Sequence, residues 1–380
     1  MELPAIIIGA GVAGCVAART LADAGRPVIV LEAGPGPERP PELDRLDHLQ
    51  SAAAADWWFA DLPRRGRGSG GSSAVNGMVL DGVEPLDAKR WHWDDAAEHQ
   101  AWVLAHWPSI ELAPGPFTAA LDELITRGFP AASPTRVSGW LGWAPLSIAS
   151  NGDRRVSAAD AFVDDRIDVR YRTSVKTIGD ADGTPWVETE TGRRIEGSHV
   201  FVAAGAVGSP DLLVASGLVE RSTVPPLLNH PSTAVIAELD PSLQSVGGPP
   251  SSRMLRTVSG LSENTVDLQM LVLDHTGETD DGRRHGAVIV TALEPDRQKV
   301  LISGITQALR WLGEIPGVRK VSLSPDPSPV QHHACSLRGF DAVSPTIRVI
   351  DASVLPALPH TNPMVSIAVG ARRATLAAIA

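Results

Sequence analysis

Two histidine groups near the C-terminal end of the sequence could do proton chemistry: His332-His333, and His360 with Asn362 two residues on. An imidazole with an ordinary pKa near ~6.5 can take a hydroxyl proton at neutral pH. An asparagine amide can only donate and accept hydrogen bonds, so Asn362 would orient a substrate rather than titrate. At the other end, Gly9-Ala10-Gly11-Val12-Ala13-Gly14 places three glycines where a nucleotide-binding turn needs them. The first allows the turn, the second lets backbone approach a pyrophosphate, and the third lets a helix pack on a strand. Glu32, 21 positions after Gly11, stands where a carboxylate can accept ribose hydroxyls. This fingerprint fits the adenosine diphosphate half of NAD and of FAD alike. A third stretch, Gly70-Gly71-Ser72-Ser73-Ala74-Val75-Asn76-Gly77-Met78, is too long for a simple turn, and its bare backbone could lie flat against a planar ligand.

These groups need elements to hold them. Residues 3–9 read as a buried strand, 15–24 as an Ala-rich helix and 27–31 as a second strand, the order of a βαβ unit. A strand-like run covers 168–178. Further on, 234–238, 266–274 and 286–293 alternate with polar turns as an antiparallel sheet would, and 300–312 reads as a helix. Residues 365–380 carry apolar side chains at helical spacing with Pro363 near the start, where its missing N–H costs nothing. Six of the ten tryptophans (Trp91, Trp93, Trp102, Trp107, Trp140 and Trp143) fall between 85 and 150 and read as core before they read as a ligand wall. The proline-rich stretches 35–41 and 325–329 read as rigid loops. The fold class is α/β: a Rossmann-like FAD/NAD(P)-binding domain with a reduced α+β substrate domain on an antiparallel sheet. The expected division is 1–84, 151–224 and 326–380 for the nucleotide domain, and 85–150 with 225–325 for the substrate part.

Composition narrows the function. A net charge of -11 gives no reason to approach nucleic acid or an anionic membrane. Charges, Gly and Pro interrupt every apolar run, so no transmembrane segment is expected. Glu2 follows Met1 with no basic head, so no secretory signal is read and a cytoplasmic location is expected. Two cysteines, Cys15 and Cys335, exclude a disulfide scaffold and a cysteine-built metal site, and no metal ligands are assigned.

Taken together with Val202-Ala203-Ala204-Gly205 in mid-chain and Asp351-Ala352-Ser353 near the end, these motifs make the chain resemble the glucose–methanol–choline oxidoreductase family. The resemblance implies FAD, held at its adenosine and pyrophosphate by Gly9, Gly11, Gly14, Glu32 and Ala33. It implies that Gly70, Gly71, Ser72, Asn76, Gly77 and Met78 lie beside the isoalloxazine, and that Val175 offers its backbone to adenine. Ala204, Asp351 and Ala352 would lie near the pyrophosphate and ribityl chain, and Pro363 and Met364 at the pyrimidine edge. His332 is then singled out from the other histidines as general base, paired with Asn362 over the flavin; His333 and His360 stay open between substrate contact and packing.

The implied activity is oxidation of the CH–OH group of a small-molecule alcohol, with hydride passing to the flavin and then to an electron acceptor: dioxygen, a quinone or a redox carrier. The mycofactocin-associated branch is similar in its motifs. The chain departs from the family in being short, in carrying Cys335-Ser336 where relatives have Gly-Thr, and in having Val75 where some members link a His covalently to FAD. Non-covalent FAD and a packed, unreactive Cys335 are therefore expected. The competing functions are a non-redox lyase, an inactive flavin-binding homologue and a nicotinamide-dependent dehydrogenase.

Overall fold

The structure, a computed structural model, describes residues 2–46, 55–61, 63–128, 142–245, 251–257, 266–274, 285–293, 297–326 and 329–380. Trp140 and residues 327 and 328 of the second proline-rich loop lie outside them.

Short runs of Ile, Val and Ala, apolar on both sides, cannot face water on either face and so form a parallel sheet covered twice. Five strands build it: β1 (Ala5–Ile8), β2 (Val28–Leu31), β3 (Asp168–Arg170), β4 (Val200–Val202) and β5 (Ile347–Val349). Their order is β5-β4-β1-β2-β3, all parallel. The sheet therefore draws strands from near both ends of the sequence. Ile7, Val28, Val30 and Phe201 face two helices, α1 (Val12–Asp23) and α3 (Pro363–Ile379), whose buried Ala17, Ala18, Ala368 and Ala371 are small enough to let the helices lie close together. Ile6, Ile8, Val200, Val202 and Val349 face the other way. They meet helix α2 (Gly205–Ala215) and an antiparallel meander of Val175–Ala181, Thr184–Thr189 and Arg194–Glu196.

The single strand expected over 168–178 is two strands in two sheets. Arg172 at φ 52 turns the chain between them, and the turn is hydrogen-bonded to the nucleotide half through Arg172 N to Gly34 O and Thr173 N to Glu32 O.

The second layer is a six-stranded antiparallel sheet ordered Val318–Leu323, Ser232–Leu239, His285–Ala292, Leu268–Leu273, Arg253–Thr257, Gly142–Pro145. The helix Arg297–Glu314 and the helix Pro116–Gly128 bury an apolar face on it, with Phe117, Leu121, Val300, Ala308 and Leu312 inside. Its edge strand 142–145 comes from the tryptophan-rich segment. Of those tryptophans, Trp91 and Trp107 are buried; Trp93, Trp102 and Trp143 pack on core clusters. Among the described residues no helix is long and apolar enough to cross a membrane.

Candidate active site

The carboxyl ends of β1, β2, β4 and β5 open on one side, where a doubly covered sheet binds its ligand. After β1 the chain turns through Gly9 at φ 102 into α1, whose N-cap is Gly11. A Cβ on Gly14 would stand 1.9 Å from the Gly9 carbonyl oxygen, so glycine there is a condition of the turn itself. A Cβ on Gly11 would meet nothing within 4 Å, and the same holds for Gly205, which follows β4 at φ 81. The ends of two neighbouring strands thus leave bare backbone facing open space. The 3-10 turn Gly71–Ala74 closes against them: Gly70 N donates to Ala10 O at 2.9 Å, and a Cβ on Gly71 would meet the Gly11 Cα at 2.8 Å.

Glu32 is 6% exposed, and its carboxylate takes Ala10 N at 2.7 Å, Gly34 N at 2.7 Å and Gly68 N at 3.0 Å. Burial raises its pKa against the pull of those three N–H groups. A carboxylate offers about four lone-pair positions, so one remains, on Oε2, for a ribose hydroxyl. The neighbouring Ala33 gives its carbonyl to Arg67.

Asp351 departs further from expectation. Its two oxygens accept from Gly205 N, Ser209 Oγ, Ser353 N and Ser353 Oγ, at 2.5–2.9 Å. No position is left for a ligand. The side chain ties β5 to the start of α2, and only backbone there, at Ala204 or Ala352, can face a pyrophosphate. Burial raises the Asp351 pKa too.

In the glycine-rich loop, Ser72 Oγ accepts from Gly66 N, Gly77 is exposed, and buried Met78 sits at φ 63. Asn76 reaches across to α3, its Nδ2 lying 3.2 Å from Met364 Sδ, beside Pro363 at the head of that helix. The far-end residues 363 and 364 and the loop 70–78 are therefore in contact. Val175 opens the meander and pairs with Thr189, on the opposite side of the sheet from α1.

No hydrogen bond joins His332 to Asn362, and each has a different partner. His332 Nδ1 is 3.0 Å from Nδ1 of His230, the rings meeting edge to face, and Asn229 Oδ1 accepts from His332 N at 2.7 Å. His230 is fully buried and was not among the sequence candidates. It sits just before the strand Ser232–Leu239, while His332 sits just before Ala334, which pairs in both directions with Leu228. The antiparallel bridge between Leu228 and Ala334 sets the imidazoles together. Burial, then His333, pushes the His332 pKa down to about 3; burial, then His332, pushes His230 well below its ordinary value. Both rings are neutral at neutral pH. One Nδ1 must then donate and the other accept.

Asn362, the N-cap of α3, gives both its backbone N–H and its side-chain Nδ2 to Asp81 Oδ2. That oxygen also takes Arg256 Nη2 at 2.5 Å, and the Asp81–Arg256 pair is 2% and 3% exposed. Arg256 continues to Gln269 Oε1. The network pins the head of α3 to the antiparallel sheet and takes one N–H of the Asn362 amide; among the described residues the other faces only Met254 Sδ, a weak acceptor, at 4.0 Å. His360 is similarly engaged: Asp87 accepts from its backbone N–H at 2.6 Å and from its Nδ1 at 2.5 Å. His333 is half-buried, its pKa lowered by burial and then by Arg65. Cys335 is buried at φ 67, and burial raises its thiol to about 11, which fits a packed residue and not a nucleophile. Among the described residues no cluster of His, Cys, Asp or Glu could hold a metal ion.

A family profile for NAD(P)-binding Rossmann-like domains matches residues 7–37. The oxygen-dependent choline dehydrogenase of Staphylococcus saprophyticus is 26% identical over 265 residues, 56% of this chain and 47% of that protein. Its counterpart from Escherichia coli is 27% identical over 276 residues, 57% of this chain and 48% of that protein. The chain is a homologue of the glucose–methanol–choline oxidoreductases. It spans about half the length of the curated relatives it matches. Among solved structures of that family, pyridoxine 4-oxidase from Mesorbium loti superposes with a TM-score of 0.77 at 17% identity, over 99% of both chains. A formate oxidase of Aspergillus oryzae reaches 0.82 at 16%, over 98% of this chain and 97% of that one. At such identity the likeness is one of fold. It supports the Rossmann-like domain and the mixed parallel and antiparallel architecture of this chain.

Proposed function

We propose that the protein is an FAD-dependent oxidoreductase acting on the CH–OH group of a small alcohol, with His332 as general base. The observation that carries this is the neutral His332–His230 pair. In this reading the proton of the Nδ1–Nδ1 bond sits on His332 and Nδ1 of His230 accepts, while Nε2 of His230 is buried and makes no hydrogen bond among the described residues. The bare Nε2 of His332 can then take the alcohol proton. His230 is thus the partner that sets the base's tautomer, and Asn362 works through the Asp81 network.

The residues present fit FAD. Open backbone at Gly11 and Gly205 with the N-terminus of α1 suits a pyrophosphate. The remaining lone pair of Glu32 suits a ribose hydroxyl, Val175 backbone suits adenine, and the loop 70–78 with Pro363 and Met364 suits a flat ring. When bound, FAD supplies the hydride-accepting ring. Val75, buried in that loop, has no atom to bond a flavin, so binding is non-covalent. The nicotinamide alternative draws only on residues 7–37, the half that both nucleotides share. The relatives' names state oxygen dependence, so dioxygen is the first acceptor to test.

The decisive experiment is anaerobic reduction of the FAD-loaded protein by a panel of primary, secondary and sugar alcohols, then reoxidation with air or artificial acceptors. Bleaching by none of them refutes the redox reading. A colourless protein that binds NAD instead would favour the nicotinamide dehydrogenase.

A further inference from the structure

We propose that Arg155 is a positioning residue for the cofactor: from behind the Gly70–Met78 loop it fixes the amide of Asn76 and the curl of the loop on which the ring would lie. The inference rests on the FAD reading above.

Arg155 is 1% exposed. Its Nε donates to Leu43 O at 3.0 Å, and its Nη1 to Ser73 O at 3.2 Å, Asn76 O at 2.7 Å and Asn76 Oδ1 at 3.2 Å. Every one of these partners is a carbonyl oxygen, and no carboxylate among the described residues bonds to it. The nearby acids are occupied elsewhere: Asp44 and Asp160 each take Arg39 at 2.5 Å, and Asp160 also takes Arg154 at 3.2 Å. Three guanidiniums against two carboxylates leave one surplus positive charge, and Arg155 is the member that lies against the loop. Burial, then Arg39, lowers its pKa to about 9, which keeps it charged at neutral pH. A buried charge without an acid is costly unless every donor it uses finds an acceptor, and here three of the four acceptors belong to the loop.

Gly70, Gly71 and Met78 all sit at positive φ, and two of the loop's carbonyls, at 73 and 76, are gathered by one guanidinium nitrogen. Asn76 carries the consequence. Its Oδ1 faces Arg155 Nη1 and Met78 N at 2.9 Å, both of which can only donate. The amide is therefore locked with its NH2 on the other side, near Met364 Sδ at the head of α3. A thioether is a weak acceptor, so this N–H pair remains for a stronger one, such as a ring carbonyl or ring nitrogen. Arg155 thus dictates that a ligand at this edge meets a donor.

The test uses Arg155→Met, Arg155→Lys and Asn76→Asp in the full chain, with FAD affinity from fluorescence quenching, the two-electron midpoint potential, and the melting temperature of the FAD-free protein. Arg155→Met should weaken FAD binding about tenfold or more, the loss of a charge-assisted contact, and move the midpoint to more negative potential. Arg155→Lys, which keeps the charge and loses the fork, should restore the midpoint and leave affinity low. Asn76→Asp keeps the acceptor for Arg155 and removes the donors, so it should stay folded and lose affinity; it decides the matter if Arg155→Met does not fold. Wild-type affinity and midpoint in these variants overturn the proposal, as does a change in melting temperature alone. A wild-type protein that takes up no flavin overturns the FAD reading and the proposal with it.

Discussion

Replacing Gly14 with alanine puts a Cβ 1.9 Å from the Gly9 carbonyl oxygen and 3.0 Å from its carbon. Ordinary contact begins at 3.4 Å, so α1 and the turn must part by about 1.5 Å. The obstacle is backbone and has no rotamer to escape into, which places the cost at the upper end of overpacking penalties, about 3 kcal/mol. At an unfolding entropy of about 2.1 cal/mol/K per residue over the chain, that is a fall in melting temperature of about 4 °C. Gly11→Ala is the control. Its Cβ meets nothing within 4 Å and its φ of -78 suits alanine, so the FAD-free protein should melt within about 1 °C of wild type. The new methyl would project into the space assigned to the pyrophosphate, and FAD affinity should drop about tenfold or more. Differential scanning fluorimetry of the FAD-free proteins, paired with flavin fluorescence titration, separates the two. Equal melting of both variants would refute the packing argument, and wild-type flavin affinity in Gly11→Ala would refute the placement of the cofactor.

Replacing His332 with alanine should leave FAD bound and slow substrate reduction of the flavin by ~10²-fold or more, read by anaerobic stopped flow; an unchanged rate would remove it as base. Between pH 6.5 and about 3 the unfolded chain takes up a proton that the folded His332 refuses, so stability should fall as pH drops through that window, by up to about 1.4 kcal/mol per pH unit for each such imidazole. A His230→Gln/His332→Gln double variant should flatten this slope in urea melts taken across the window. Arg256→Met leaves the buried Asp81 carboxylate unpaired and should cost about 3–5 kcal/mol in chemical denaturation; Asp81→Leu added to it should recover a large part. Acid precipitation should leave all the flavin in the supernatant, and flavin retained on the chain would contradict non-covalent binding.

What the sequence made legible was local. Gly9 to Gly14 announced a turn because each glycine answers to its immediate neighbours, and the helices at Arg297–Glu314 and Pro363–Ile379 showed in their spacing because a helix repeats within a few residues. The run 168–178 misled because β-forming residues on either side of Arg172 look continuous, and only the parallel sheet decides that the first three pair with β2. The site was hidden wherever its bonds are long-range. His230 meets His332 across 102 residues, and Asn362 meets Asp81 across 281. Nothing in Asn362 itself says that its backbone N–H and one amide N–H are given to Asp81. Glu32 and Asp351 stand at the expected edge, yet how many of their lone pairs the backbone has already filled is a property of the fold. The histidine at 230, in an Asn-His-Pro run, was the one signal in the sequence that could have pointed to the pair.

The order β5-β4-β1-β2-β3 has a consequence for how the chain is made. A ribosome synthesises the central strand first. Until residues 200–202 emerge, one edge of Ile6–Ile8 has no strand to bond, and an apolar strand with a bare edge invites pairing with another nascent chain. The α3 flank that covers Ile7 and Phe201 arrives later still. A chain stalled before residue 347 would hold the glycine turn with no finished groove around it.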